Sequence, residues 1–266
     1  MDGRDWNKFL LPYEQAVEEL KVKFRSLRTE LKQREEFSPI EFVTGRVKRV
    51  SSILEKAKRL QVPMDQLERG IEDIAGIRIM CQFVEDIRRV ADWIRAREDM
   101  TVVYEKDYIT NTKESGYRSY HIIVDYPVQT SMGRKNVLAE IQVRTLAMNF
   151  WATIEHSLNY KYKEQLPDEL RARLKKAAEA AFLLDKEMSS IRDEIVSAQM
   201  HFEDRSTLVS RILNGIQDLY MVHHVREAAT FQLKFNELWE QEHIWDLKRL
   251  DEEIQAALER AKKGGK

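Results

Sequence analysis

The stretch NVLAEIQVR, Asn136 to Arg144, decides how the rest of the chain is read. Along a strand, successive side chains point to opposite faces. Val137, Ala139, Ile141 and Val143 then share one face, and Leu138, Glu140, Gln142 and Arg144 share the other. The first set suits a core. The second puts a glutamate and a glutamine on the open side of a strand that reads as central, which is where a sheet carries the floor of a site. After Arg144 the apolar spacing lengthens to three and four, and no further strand is predicted.

Working outward, three other runs have the same β-branched and aromatic character: GIRIMCQF (76–83), TVVYEKDYI (101–109) and SYHIIVDYP (119–127). A helix, EDIRRVADWIRAR, separates the first two. The first thirty residues read as an amphipathic helix through Val17, Leu20, Phe24, Leu27 and Leu31. FSPIEFVTG (37–45) is expected to break that helix as a short turn. A second helix is expected from Arg46 to about Gln61, ended by Pro63. TLAMNFWATIEHSLNYKY (145–162) reads as helix. Beyond Pro167, Leu170, Leu174, Ala177, Ala181, Leu184, Met188, Ile191 and Ile195 keep helical phase, with a break expected at FEDRST (202–207). The tail, with Phe231, Phe235, Trp239, Trp245, Leu247, Leu250, Ile254 and Leu258, predicts a packed helical hairpin. The fold class is therefore α+β: a mixed sheet flanked by helices over residues 1–200, followed by a helical extension over residues 201–266.

Composition limits the chemistry. A net charge of -1 excludes a general polyanion binder, so any anion site must come from local clustering. The single Cys81 excludes an intrachain disulfide and fits a reducing cytoplasm. It alternates with Ile77 and Ile79, which predicts a core position. No apolar run approaches the ~20 residues of a membrane span, and MDGRDWNKFL has no signal-peptide core. The histidines at 223 and 224, neighbours on a helix, point two ways, so no soft-metal cluster assembles.

One clustering does stand out. Lys48, Ser52, Lys56 and Arg59 line one side of the second helix, with Arg46 at its start, opposite a clean apolar face. Such a row spans ~16 Å, about the reach of a nucleoside triphosphate. A solvated cationic face is the plainer reading of the row taken alone. There is no Walker loop, so a nucleotide here would be held by side chains. Asp73 just before a strand and Glu140 within one could supply the hard oxygen ligands that Mg²⁺ and polyphosphate chemistry need. Tyr117, behind Gly116 and between Lys113, Arg118 and His121, is either a packing tyrosine or a base-stacking platform.

EDIAGIRIMC, SGYRSYHIIV and AEIQVRTLAMNFWATIEHSLNYKY closely resemble the RelA/SpoT-type alarmone synthetase domain, in particular its small stand-alone RelQ type; SPIEFVTGRVK and SILEKAKR fit the same type. The resemblance runs from about Asp5 to Met200. It implies a nucleotidyltransferase-like sheet. It also implies Mg²⁺-dependent transfer of pyrophosphate from ATP to the 3′-hydroxyl of GDP or GTP, giving ppGpp or pppGpp in the stringent response. By the same resemblance Arg46 and Arg78 would sandwich adenine, and Lys48, Ser52, Lys56 and Arg59 would hold the ATP phosphates. Asp73 and Glu140 would bind Mg²⁺, with Glu140 activating the hydroxyl. Tyr117 would stack on guanine. His121, Lys113 and Lys106 would meet the acceptor phosphates, with Gln142, Asn149 and Ala152 near the acceptor. The type implies a homotetramer whose central cleft takes pppGpp as activator or single-stranded RNA as inhibitor, near Arg25, Phe42, Thr44 and Asn149; Asn149 is claimed by both sites. No His-Asp dipeptide occurs, so hydrolysis of the product is not expected. The rival reading is a catalytically degenerate protein that senses nucleotide or RNA. Residues from about Glu203 onward resemble nothing in the family.

Overall fold

The computed structural model describes residues 5–131, 133–162, 167–240 and 244–264, with side chains left out at 159–162, 200–205, 240, 244–245 and 262–264. The elements run α1 (Trp6–Gln33), β1 (Phe42–Val47), α2 (Val50–Leu60), a 3-10 turn (Met64–Gln66), α3 (Leu67–Gly70), β2 (Ala75–Cys81), α4 (Val84–Arg95), β3 (Thr101–Asp107), β4 (Tyr120–Thr130), β5 (Gly133–Thr145), α5 (Leu146–Tyr162), α6 (Asp168–Met221), α7 (Val225–Glu240) and α8 (Ile244–Gly264). The chain divides into two compact units, Met1–Ser189 and Ser190–Lys266.

In the first unit the strands form one sheet in the order β1-β2-β5-β4-β3. β5 runs parallel to β2 and antiparallel to β4, and the other pairs are antiparallel, so the sheet is mixed as expected. Val137, Ala139, Ile141 and Val143 are all buried, as alternation required, and they join Val17, Leu20 and Phe24 of α1 and Ile87, Val90 and Ile94 of α4 in one core. Cys81 lies in that core, and burial pushes its thiol well above the ordinary value.

Two readings of the first third are corrected. FSPIEFVTG does not close as a turn; it enters β1, an edge strand whose Val43 pairs with Ile79. Gly45, at the end of that stretch, serves close packing. A Cβ there would meet Val17 Cγ1 at 2.8 Å and Lys21 Cδ at 2.9 Å, so the strand lies directly against α1. Consequently Arg46 belongs to β1 rather than to a helix start, and Lys48 precedes α2.

α6 continues without a break through FEDRST. That hexamer is polar, yet it holds neither Gly nor Pro, and charged residues are tolerated on a solvent-facing helix side. The second unit has more than a hairpin: Leu208, Ile212, Ile216 and Leu219 of α6, Ala228, Phe231 and Phe235 of α7, and Leu247, Leu250, Ile254 and Leu258 of α8 share one core. Trp245 lies outside the described side chains. His223 and His224 fall in the α6–α7 turn, His223 with φ 64°, not on a helix. Among the described residues no helix is long and apolar enough to cross a membrane.

The start of α6 docks behind the Tyr117 segment. Gly116 has φ 88°, and a Cβ there would approach Ala178 Cβ to 2.7 Å. Trp151 Nε1 donates to the Leu174 carbonyl at 2.9 Å. Thr145 caps α5 by accepting from the Met148 amide at 3.1 Å, and its hydroxyl donates to Asp185 at 2.6 Å. Asp185 is only 5% exposed. Burial pushes its carboxyl up to about 6, against the Thr145 bond and helped by Glu85.

The folded state thus holds this proton more tightly than the unfolded chain does. Stability should fall as pH rises from the ordinary 3.8 to about 6 and stay reduced above. Asp185→Asn should therefore stabilise the protein at pH 7 by on the order of 1–3 kcal/mol. Urea unfolding at both pH values checks this: the gain should vanish below pH ~4.

Candidate active site

The register of the sheet lays two rows of side chains across its open face. One row crosses every strand through Thr44, Arg78, Gln142, His121 and Lys106. The other runs two residues away through Arg46, Gly76, Glu140, Ile123 and Tyr104. Gly76 leaves a bare patch between Arg46 and Glu140; a Cβ there would find nothing nearer than the Arg46 carbonyl at 3.6 Å. Arg46, Asp73, Gly76, Arg78, Glu140 and Gln142 line a cavity of about 270 Å³ over this floor.

Beside it, Arg46, Lys48, Ser52, Lys56 and Arg59 line a trough of about 660 Å³. Its other wall is Thr153, His156 and Ser157 of α5, which sequence reasoning did not single out. Their spacing of three and four on a largely apolar helix was the available signal. Lys48 Nζ and Lys56 Nζ each donate to a different oxygen of Asp73, both at 2.8 Å. Burial pushes the Asp73 carboxyl up, but these two ammoniums outweigh it and hold the group below its usual range. The guanidinium of Arg78 is drawn below its ordinary value by burial first, then by Arg144 and Arg46. The trough, with Arg46, Lys48, Arg49, Lys56 and Arg59 against Glu55, therefore collects positive charge in a chain that is nearly neutral overall.

Glu140 is held at both oxygens. His121 Nδ1 lies 2.9 Å from Oε1, and Gln142 Nε2 donates to Oε2 at 2.7 Å. Burial pushes its carboxyl up; the bonds and charge from His121, with the Gln142 bond, more than offset that and leave it below the ordinary value, although Asp73 opposes them. Asp73 and Glu140 thus face one cavity as two hard oxygen donors, which suits a divalent ion completed by phosphate and water.

On the far side, Tyr117 is half-buried, with its hydroxyl 2.8 Å from His121 Nε2 and accepting from Arg144 Nη2 at 2.5 Å. Lys113 Nζ sits 5.0 Å from the centre of its ring and 4.5 Å from that of Tyr108. Two cations thus stand near the ring, since the Arg144 guanidinium carbon also lies 5.1 Å from its centre. Lys106 packs over Tyr104, whose hydroxyl bonds to Glu72. Ala152 lies in the small cluster of Trp151 and Ala178 against which Tyr117 packs, and Asn149 is one turn earlier on α5. Arg25 Nη2 donates to the Val43 carbonyl at 3.1 Å, which brings it beside Phe42 and Thr44.

Residues 45–165 match the family described as a region found in RelA and SpoT proteins. The chain is 59% identical over 202 residues to the GTP pyrophosphokinase YjbM of Bacillus subtilis, spanning 76% of this chain and 95% of the relative. It belongs to the RelA/SpoT family. Its structure is similar to that of the small alarmone synthetase 1 from Bacillus subtilis bound to its product pppGpp, with TM-score 0.70, 60% identity, and coverage of 71% of this chain and 97% of the other. The same synthetase bound to AMPCPP matches with TM-score 0.64 and 56% identity over 72% and 98%. These matches of the RelA/SpoT domain span close to the full length of the proteins compared and about three quarters of this chain.

The trough of this RelA/SpoT chain can be tested with an anion alone. Lys56→Ala removes one ammonium from the row and its bond to Asp73, leaving the Lys48 bond in place. Binding of tripolyphosphate, measured by calorimetry, should weaken roughly fivefold to tenfold, the scale of a partly exposed charge-assisted bond. Unchanged affinity would mean that the row is only a solvated face.

Proposed function

We propose that the protein transfers the pyrophosphate group of ATP to the ribose 3′-hydroxyl of GDP or GTP, releasing AMP and forming ppGpp or pppGpp. The observation that carries this reading is the placing of Glu140 between two unlike halves of one floor. A cationic trough with Arg46 and Arg78 lies on one side, and an aromatic ring with further cations lies on the other. The relatives named for GTP pyrophosphokinase activity and for bound pppGpp and AMPCPP support it.

In this mechanism Lys48, Ser52, Lys56 and Arg59 bind the ATP phosphates, and the guanidiniums of Arg46 and Arg78 take the adenine. Guanine stacks on Tyr117, displacing Lys113 Nζ from the ring so that it can turn to the acceptor's phosphates with Lys106. His121 reaches those phosphates only by giving up its bond to Tyr117. Gln142, Asn149 and Ala152 border the acceptor. Glu140 accepts the proton of the 3′-hydroxyl as that oxygen bonds to the β-phosphorus and the bond to the α-phosphate oxygen breaks. Asp73 and Glu140 would hold Mg²⁺, which when bound offsets charge on the transferred phosphates. The reaction runs in the cytoplasm, and the chain does not hydrolyse its product.

The reading extends to a homotetramer, supported by exposed apolar side chains at Leu11 and Val22 on α1 and at Leu184 and Met188 on α6. Arg25, Phe42, Thr44 and Asn149 would border its central cleft, where pppGpp activates and single-stranded RNA inhibits. Light scattering showing a monomer at micromolar concentration would remove this part.

ATP and GDP incubated with Mg²⁺, resolved by anion-exchange chromatography, should give AMP and a guanosine tetraphosphate, with neither formed in excess EDTA. Glu140→Gln keeps size and hydrogen-bond reach but loses the charge. It should lower kcat by at least ~10²-fold, the scale of a lost general base. Near-normal turnover would refute the role of Glu140. Tyr117→Ala should raise the KM for GDP about tenfold or more, the scale of a lost base stack, and leave that for ATP unchanged. An equal effect on both substrates would refute stacking.

A further inference from the structure

Arg144 lies near the end of β5 and is 4% exposed. A buried cation must be satisfied to persist. Its Nε donates to Ser119 Oγ at 3.1 Å, and its Nη2 donates to Tyr117 Oη at 2.5 Å and to Gln142 Oε1 at 2.6 Å. Among the described residues no carboxylate is paired with it. A guanidinium surrounded by neutral oxygen acceptors is an unusual way to fill a floor, and the acceptors it selects belong to both halves of the site.

An arginine can only donate, and that fixes the direction of the bonds beyond it. Gln142 Oε1 accepts from Arg144 and also from Arg78 Nε at 3.3 Å, so its NH₂ group must face Glu140 Oε2. Flipping the amide would set NH₂ against two guanidiniums. Glu140 as a carboxylate can only accept, so His121 Nδ1–H points to its Oε1, and the other ring nitrogen, Nε2, meets the Tyr117 hydroxyl that accepts from Arg144. The bonds close a ring: Glu140, His121, Tyr117, Arg144, Gln142 and back to Glu140. Both oxygens of Glu140 receive hydrogen bonds from side chains tied to Arg144, Gln142 directly and His121 through Tyr117.

We infer that Arg144 is a positioning residue that couples the guanine platform to the reacting carboxylate, holding Tyr117 through its hydroxyl and Glu140 through the amide of Gln142. This rests on the proposed reaction for the naming of the acceptor. In this reading Arg144 acts through Tyr117, whose ring centre lies 5.1 Å from its guanidinium carbon, and through Gln142. It lets one side chain set the ring on which the base stacks and the orientation of the carboxylate that meets the 3′-hydroxyl. Lysine cannot replace it, because a point charge on a flexible stem has no planar fork.

A double-mutant cycle decides the matter. Tyr117→Phe keeps the stacking face and removes only the hydroxyl. It should lower kcat/KM for GDP roughly tenfold, the scale of a charge-assisted hydrogen bond, with the KM for ATP within about twofold of wild type. Arg144→Lys should lower kcat/KM for GDP at least as much, again sparing ATP. Because both changes break one link, the double variant should fall no more than about twofold below Arg144→Lys. Effects that multiply, a Phe variant with wild-type constants, or an equal loss of ATP affinity would each overturn the inference. Circular dichroism checks the folding of each variant. If Arg144→Lys does not fold, Arg144→Met, which fills the buried position without a donor and breaks the same link to Tyr117 Oη, takes its place in the cycle with the same criteria. Should the wild type make no guanosine tetraphosphate, the proposed reaction fails, and the cycle is read on the Kd for GDP by calorimetry. A wild type that does not bind GDP overturns both.

Discussion

The register of β5 between β2 and β4 is the constraint on which the rest depends. Gln142 stands opposite Arg78 on one side and His121 on the other, and Glu140 stands opposite Gly76 and Ile123. A strand has a period of two, so a slip of one residue would send Glu140, Gln142 and Arg144 into the core and bring Ile141 and Val143 to the open face. The buried set on β5, packed against α1 and α4, is what forbids that slip. The hydrophobic effect thus decides the placement of charge: apolar residues that touch no ligand hold the polar ones in line.

Electrostatics then fixes the cations of the trough: Lys48 and Lys56 are both held at Asp73, each on its own carboxylate oxygen. The same pairs keep Asp73 ionised despite its burial. Burial draws the Arg78 guanidinium below its ordinary value, Arg144 and Arg46 add to that, and Tyr117 and Glu140 oppose them.

The faces of β5, its place as the last strand and the burial of Cys81 were legible because each depends on a period that a single strand displays. β1 was not, since Pro39 and Gly45 carry the same letters in a turn as in an edge strand pressed against a helix. The unbroken α6 was missed because a polar run without Gly or Pro can equally be read as a loop or continue a helix. In the site, alternation put Arg144 on the open face with Glu140. It could not show that Tyr117 and Ser119, more than twenty residues earlier, would come to that guanidinium, because such contacts depend on which strand neighbours which. The third helix in the core of the second unit was hidden for the same reason.

Gly76 carries a consequence of a different kind. Its missing side chain is required neither by backbone conformation nor by crowding, since a methyl group there would make only ordinary contacts. A mutation to alanine would therefore escape the usual filter on destabilised sequences. The added methyl would nevertheless stand on the floor between Arg46 and Glu140. On the reaction proposed for this floor, selection for folding and selection for turnover would act on separate atoms, and one codon could change the second without disturbing the first.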